Sequence, residues 1–389
     1  MDFQLSSEQR MLKQMARDLA EKEFRPQAAR WDENAEFPLE NRRRLAELGL
    51  LGILIPKEYG GGGRDLIDMY IVVEELARVC LNTTVLVHSM NATPRVIQMF
   101  GSEEQKQKYL PGFARGDLIT SIAMTEPDAG SALTDLTTTA KLDGDQYVIN
   151  GRKCFISAAD IADVLLVFAR FAPTKGARGI GTILVDKGTA GYHVPKKEKK
   201  MGARGMNECE VVFEDCRVPA ANVVVRGEPD SSIGLVKGLG VWNGMRVGVG
   251  VMGVGMAQGA LDEAMKYAQQ RQQFGRYLAE FQGLQWMLAD MAIKIEAGRW
   301  LCYRALVNAK NGLVDGHESA IAKAYAAEMC QQVLYDALQF FGGYGYTREF
   351  PLERMVRDAR YFTIAAGTTQ VLKNQIAQTL LGRKIAQRA

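Results

Sequence analysis

Histidine is nearly missing from this chain of 389 residues: only His88, His193 and His317 occur, far apart in sequence. A histidine-based metal centre needs several imidazoles converging on one ion, so the scarcity argues against one. The six cysteines (Cys80, Cys154, Cys209, Cys216, Cys302, Cys330) have irregular spacing and form no C-x-x-C pair. Neither a zinc site nor a disulfide framework is expected from them, and they read as buried free thiols in a reducing compartment. An excess of one charge is lacking too. With 48 basic and 45 acidic side chains the net charge is +3, too small for a dedicated nucleic-acid binder. No unbroken apolar run long enough for a membrane span is present. The nearest stretch, Val247 to Leu261, is glycine-rich and interrupted by Gln258, and reads as a closely packed internal helix. Acidic residues stand among the first positions and lead straight into an amphipathic pattern, unlike a secretory or mitochondrial leader, so a cytoplasmic protein is expected.

What is present is a chain too long for one core, since single cores stop growing beyond about 250–300 residues. Three textures follow one another, over 1–119, 120–228 and 229–389. From Ser6 to Arg115 apolar residues recur at helical spacing (Leu12, Met15, Leu19; Leu45, Leu48, Leu51; Ile71, Val72, Leu76), broken by Pro38, Pro56 and the Gly60 to Gly63 run. That run lacks the Lys-Ser or Lys-Thr of a phosphate loop and reads as a surface turn. Between Thr120 and Val225 short alternating strands are punctuated by Asp-Gly, Asn-Gly and Lys-Gly, which favour hairpins. No helical crossover intervenes to support a parallel sheet, so a small sandwich or barrel is expected. From Ser231 onward long helices with apolar stripes predict a bundle. The expected fold is mainly α with a central β domain.

Four stretches carry candidate chemistry. Thr125 to Ser131 (TEPDAGS) is a turn exposing backbone N–H groups and hydroxyls suited to an anionic or carbonyl-rich ligand, though alone it is an ordinary turn. Phe155 and Ser157 on one strand could flank a flat ring, although a lone phenylalanine there is more often core. Arg271 to Gly275 (RQQFG) ends a helix with an arginine able to reach phosphate. Gln339 to Tyr346 (QFFGGYGY) and the loop RDARYFTIAAGTTQ from Arg357 complete the set; the loop sets two alanines before a Gly-Thr-Thr-Gln turn.

In order and interval, TEPDAGS, NGRKCFIS, RQQFG, FQGLQWMLADM, QFFGGYGY and RDARYFTIAAGTTQ resemble the acyl-CoA dehydrogenase flavoproteins, over essentially the whole chain. The resemblance implies an N-terminal helical domain, a middle β domain and a C-terminal four-helix bundle. It further implies a homotetramer, FAD held between domains and subunits, an acyl-CoA thioester as substrate and electron transfer flavoprotein as acceptor. By the same resemblance Met124, Thr125 and Ser131 would meet the flavin ring and pyrophosphate, and Phe155 and Ser157 would line the isoalloxazine. Arg271, Phe274, Gln339 and Gly343 would reach the FAD of a neighbouring subunit. Thr368 and Gln370 would hold its adenosine part. Arg246 would lie near the CoA chain, with Ser131 in reach of the same ligand.

Relatives of this kind use a glutamate to remove the α-proton, in most of them immediately before the Gly-Thr of the last loop. That position is Ala366 here, and the alternative position before Arg246 is Met245. Three readings stay open: a dehydrogenase with a relocated base, for which His88 and Asn91 are candidates; an enzyme whose substrate loses CO2 or a sulfinate and needs no such base; and a non-catalytic flavoprotein subunit. The wording around the loop is similar to base-lacking members such as 3-sulfinopropionyl-CoA desulfinase, but Thr84 stands where an arginine for the sulfinate is expected.

Overall fold

A computed structural model describes residues 4–383 and 385. The first part is helical throughout: α1 (Ser7–Leu19), α2 (Ala28–Glu33), α3 (Leu39–Glu47), α4 (Leu66–Ala77), α5 (Leu81–Met90), α6 (Ala92–Phe100) and α7 (Glu103–Arg115). Two of these begin with reciprocal caps. Ser6 accepts from the Gln9 N–H at 3.1 Å while Gln9 accepts from the Ser6 N–H, and Ser102 and Gln105 repeat the arrangement on α7.

Eight strands follow: β1 (Thr120–Ala123), β2 (Thr139–Asp143), β3 (Gln146–Ser157), β4 (Val164–Arg170), β5 (Ile180–Asp186), β6 (Tyr192–Lys197), β7 (Glu208–Pro219) and β8 (Val223–Val225). They form one sheet in the order β6-β7-β3-β2-β4-β5-β8, with β1 on β4. Asp143-Gly144 turns β2 into β3 as expected, with Gly144 at φ 65°. The other two dipeptides differ from expectation. Asn150-Gly151 lies inside β3 at a register shift, because Thr138 packs against Gly151: a Cβ there would meet the Thr138 Oγ1 at 2.4 Å. Lys187-Gly188 leaves β5 for β6, which pairs with β7 and not with β5. Parallel pairing also occurs without any helical crossover. β1 and the start of β2 both run parallel to β4, and the Asp163 carboxylate, accepting from the Ile119 N–H at 2.8 Å, helps set the β1 register.

The chain then returns to helices: α8 (Ile233–Ala268), a two-stranded ribbon β9 (Gln272–Gln273) and β10 (Arg276–Tyr277), α9 (Gln282–Val307), α10 (Gly316–Phe340), α11 (Leu352–Ala359) and α12 (Thr369–Leu380). Val247 to Leu261 falls inside α8, where every residue but Gln258 is buried. Its glycines admit α4 at close range. A Cβ at Gly255 would stand 2.2 Å from the Glu74 carbonyl oxygen, and one at Gly259 2.1 Å from that of Arg78. Glu74 in turn accepts from Arg299 Nε at 2.8 Å and from the Tyr303 hydroxyl at 2.6 Å, fastening α4 to α9. The six cysteines are unpaired, and all but Cys154 are buried. Among the described residues no helix is long and apolar enough to cross a membrane.

Candidate active site

The TEPDAGS turn is fixed to β3 by a buried ion pair. Lys153 donates from Nζ to the Met124 carbonyl at 3.0 Å and to Glu126 Oε1 at 2.9 Å. The Glu126 carboxylate also accepts from the Thr137 N–H and hydroxyl and from the Thr138 N–H. Burial alone would raise the Glu126 carboxyl; the Lys153 charge and these donors outweigh it and bring it down to about 2. The Cys154 N–H donates to the Thr125 carbonyl at 3.0 Å, so Met124 and Thr125 lie directly against the C-terminal end of β3.

There β3 slips its register against β7 between Lys153 and Ile156. The slip turns Phe155 into the left-handed region at φ 56° and leaves its ring 64% exposed, so it is not core. Ser157, in register with Glu208, donates from Oγ to Glu208 Oε1 at 2.8 Å, while its carbonyl accepts from Ser121 Oγ at 2.6 Å. Met124, Thr125, Phe155 and Ser157 therefore form one wall. Ser131 stands exposed farther along the turn, with no hydrogen bond linking it to Arg246 among the described residues.

The loop after α11 passes through a 3₁₀ turn (Arg360–Thr363) to Ala366 at φ 54° and Gly367 at φ 91°. Two cations hold its backbone. Arg246 of α8 donates from Nε to the Ala366 carbonyl at 2.9 Å and from a terminal nitrogen to Asn243 Oδ1 at 2.7 Å. Lys323 of α10 donates from Nζ to the Gly367 carbonyl at 2.6 Å. Burial brings Arg246 down to about 10; burial, then the Arg246 charge, brings Lys323 down to about 7. Neither has a carboxylate partner among the described residues. Thr368 caps α12, its Oγ1 accepting from the Val371 N–H at 3.2 Å, and Gln370 is exposed on that helix.

Met245 is buried on α8 beside Tyr70, whose hydroxyl donates to the Gly244 carbonyl at 3.0 Å and lies 3.7 Å from the Met245 sulfur. The His88 ring is 6.1 Å from that of Tyr70, centroid to centroid. His88 Nδ1 and Asn91 Oδ1 are buried with no partner, and burial pushes His88 down to about 4, so its imidazole is neutral at neutral pH. Thr84 spends its hydroxyl on the Cys80 carbonyl at 2.7 Å.

Arg271, Gln339 and Gly343 meet elsewhere. They line an open cavity of about 490 Å³ with Tyr344, over whose ring the Arg271 guanidinium lies at 5.9 Å. Phe274, at the tip of the β9–β10 ribbon with φ 54°, is 93% exposed. Among the described residues no hydrogen bond joins this group to the wall at Phe155, and none of the wall residues lines this cavity. Three buried side chains that bond to the site's residues were not singled out from the sequence: Lys153, Lys323 and Glu208. A lysine within the alanine-rich face AIAKAYAA was the available signal for Lys323.

Helices, one sheet, then a helical bundle make a three-part architecture, with the wall at the C-terminal end of β3 and the left-handed loop through Ala366 carried by the bundle. Family models described as acyl-CoA dehydrogenase N-terminal, middle and C-terminal domains match residues 6–117, 121–216 and 239–381. The chain belongs to the acyl-CoA dehydrogenase family. It is 42% identical over 374 residues to the short-chain specific acyl-CoA dehydrogenase of Clostridium acetobutylicum, covering 96% of this chain and 98% of the relative. A glutaryl-coenzyme A dehydrogenase solved with glutaryl-CoA superposes with a TM-score of 0.94 at 34% identity, covering 100% of this chain and 98% of that one. Another glutaryl-CoA dehydrogenase, from Mycobacterium smegmatis in complex with FADH2, gives 0.92 at 26% identity, covering 99% and 97%.

Proposed function

We propose that this chain is an FAD-dependent acyl-CoA dehydrogenase homologue acting on the Cα–Cβ bond of a short, branched, cyclic or functionalised acyl-CoA. The observation that carries this reading is the wall of Met124, Thr125, Phe155 and Ser157, where an aromatic ring held outward on left-handed backbone is left mostly exposed. Such a ring fits the face of an isoalloxazine. The neighbour solved with FADH2 supports the same cofactor. When bound, FAD would accept the hydride leaving Cβ. Arg271, Phe274, Gln339 and Gly343, remote from the wall, fit contacts to the cofactor of a second subunit in a homotetramer. Thr368 and Gln370 at the start of α12 fit its adenosine end. A cytoplasmic setting and electron transfer flavoprotein as acceptor belong to this reading.

The chain's own residues do the rest. Arg246 and Lys323 fix the carbonyls of Ala366 and Gly367 and so hold the loop in one shape. Neither Ala366 nor Met245 carries a group that can take a proton, so a general-base contribution of about 10²–10⁴-fold is missing from both positions. A carboxylate introduced at Ala366 would enter a left-handed backbone already tolerated by alanine, close to two cations. Ala366→Glu is expected to raise reduction of the flavin by saturated acyl-CoAs, followed by bleaching in a stopped-flow instrument. A variant that retains FAD and gains no bleaching with any acyl-CoA would overturn the claim that this gap limits the chemistry.

A second reading has an observation of its own. Buried Lys323 and half-buried Arg246 converge on the loop with no carboxylate partner among the described residues, and an acyl group bearing an anion that departs as CO2 or sulfinate would supply a negative charge there while generating the electron pair itself. Thr84, with its hydroxyl committed to Cys80, offers no cation for a sulfinate. Release of CO2 from carboxylated acyl-CoAs, or of sulfite from sulfinyl ones, would favour this reading. If no acyl-CoA is turned over while FAD stays bound, a non-catalytic subunit is indicated. His88 is the remaining candidate for a relocated base: neutral, buried and unpartnered at Nδ1.

A further inference from the structure

Glu208 is a buried carboxylate with no role in the chemistry above. It opens β7 directly across from Ser157, the last residue of β3, so the two side chains share one face of the sheet. Their oxygens are 2.8 Å apart, and Glu208 is only 8% exposed. No salt bridge reaches it among the described residues. The cation that faces it, Lys200, commits its ammonium to the Ala203 and Met206 carbonyls. Two other titratable groups couple to it: the thiol of Cys209, next on its strand and on the opposite face of the sheet, and the Tyr361 phenol on the loop leading to Ala366. Burial pushes both upward, so they stay protonated at neutral pH. Burial pushes the Glu208 carboxyl up to about 7, against opposing pulls from Lys200 and the Ser157 hydroxyl.

The geometry points to Glu208 as a positioning residue that sets, through the Ser157 hydroxyl, whether the wall presents a hydrogen-bond donor or only an acceptor to the bound flavin. An ionised carboxylate can only accept, so the Ser157 O–H must donate to it, leaving lone pairs for the cleft. A protonated Glu208 can donate to Ser157 Oγ, which frees the serine hydrogen to turn toward the ring. One proton taken up by Glu208 thus inverts the polarity of the hydroxyl and removes a negative charge from beside the cofactor, both of which favour electron uptake by the ring. No bond to carbon is made or broken. This rests on the reading that Ser157 lines the flavin.

The test is a titration of the visible flavin spectrum of the purified holoprotein, from about pH 5 to about pH 9, where no ordinary carboxylate changes charge. The wild-type protein is expected to show a band shift with a midpoint near 7, the value to which Glu208 is raised. Glu208→Gln, whose amide can donate to Ser157 permanently, is expected to hold the low-pH band at every pH. Ser157→Ala, which removes a bond favouring the ionised form, is expected to move the midpoint upward and shrink the shift; it serves if the glutamine variant does not fold. A flat wild-type titration, or a shift unmoved by both substitutions, overturns the proposal. A preparation that binds no FAD would fail the functional reading first, and the two failures are told apart by the absence of any flavin band.

Discussion

Lys153 and Glu126 show what a single buried pair does for this site. Both are buried, and between them they satisfy the Met124 carbonyl and the donors of Thr137 and Thr138, so they hold the turn that offers Met124 and Thr125 to the cleft. Removing one partner leaves a charge buried with nothing to balance it, which costs about 3–5 kcal/mol. Lys153→Met is therefore expected to lower unfolding stability by about that amount. The pair also carries a pH signature. The Glu126 carboxyl is depressed in the fold to about 2, so the stability it contributes is present above its unfolded value of about 4.3 and is lost as pH falls toward 2. In Glu126→Gln that part of the acid dependence is expected to vanish. Denaturant midpoints measured along the acid range decide it: parallel curves for variant and wild type would show that the pair does not govern the acid limb. Residue scale is also where sequence reading falls short. The turn and Phe155 were legible as a motif, but the lysine beneath it was not. A buried lysine leaves no periodic mark, and its partner lies 27 positions away along the chain.

At the scale of the element, α8 depends on glycine for a reason that can be separated from helix propensity. A Cβ at Gly248 would fall 2.2 Å from Tyr70 Cε1, and that ring is pinned because its hydroxyl donates to the Gly244 carbonyl. Gly248→Ala is expected to destabilise the protein by about 1–3 kcal/mol, as overpacking does. At Gly240, in the same helix, the nearest atoms are Leu313 carbons at 3.7 and 3.9 Å. Gly240→Ala is therefore expected to gain up to about 1 kcal/mol from propensity alone. Opposite signs in thermal melting of the two variants would bear this out; equal losses would mean the helix interior, and not the α4 contact, sets the demand for glycine. The packed character of Val247 to Leu261 was readable because small residues without charge have few other uses. The sheet was less readable. Asp-Gly and Asn-Gly look alike in sequence, but only the first is a hairpin turn, since the second is decided by Thr138, which the β2–β3 pairing brings against it from just before β2. The same non-local pairing hid the parallel neighbour of β1, which its four residues could not announce. We keep 119/120 and 228/229 as the proposed domain divisions, because both fall between the last element of one texture and the first of the next.

For the whole molecule, the most telling surface is the one the single chain leaves open. Phe274 projects from the β9–β10 ribbon almost fully exposed, and Trp286, Ile293 and Tyr346 on the same C-terminal part are each more than half exposed. Exposed large apolar side chains in such number are what an interaction surface requires. The ribbon also carries Arg271, which with Gln339 and Gly343 lines a cavity remote from the wall at Phe155. If, as proposed above, a second copy brings its ribbon to the first copy's wall, oligomer formation and cofactor retention should be coupled. Phe274→Asp places a charge at the tip of that ribbon without touching any buried residue, so the fold of the protomer is expected to persist, with unchanged far-ultraviolet circular dichroism. Loss of one aromatic anchor at an interface typically costs 2 kcal/mol or more, roughly a 30-fold weaker association. Light scattering is expected to show a smaller assembly at micromolar protein, and the ratio of flavin to protein absorbance is expected to fall with it. An unchanged mass with unchanged flavin content would mean that the ribbon is not the contact. A smaller mass with full flavin content would mean that one chain holds the cofactor unaided and that the cavity at Arg271 serves something other than a neighbour's flavin.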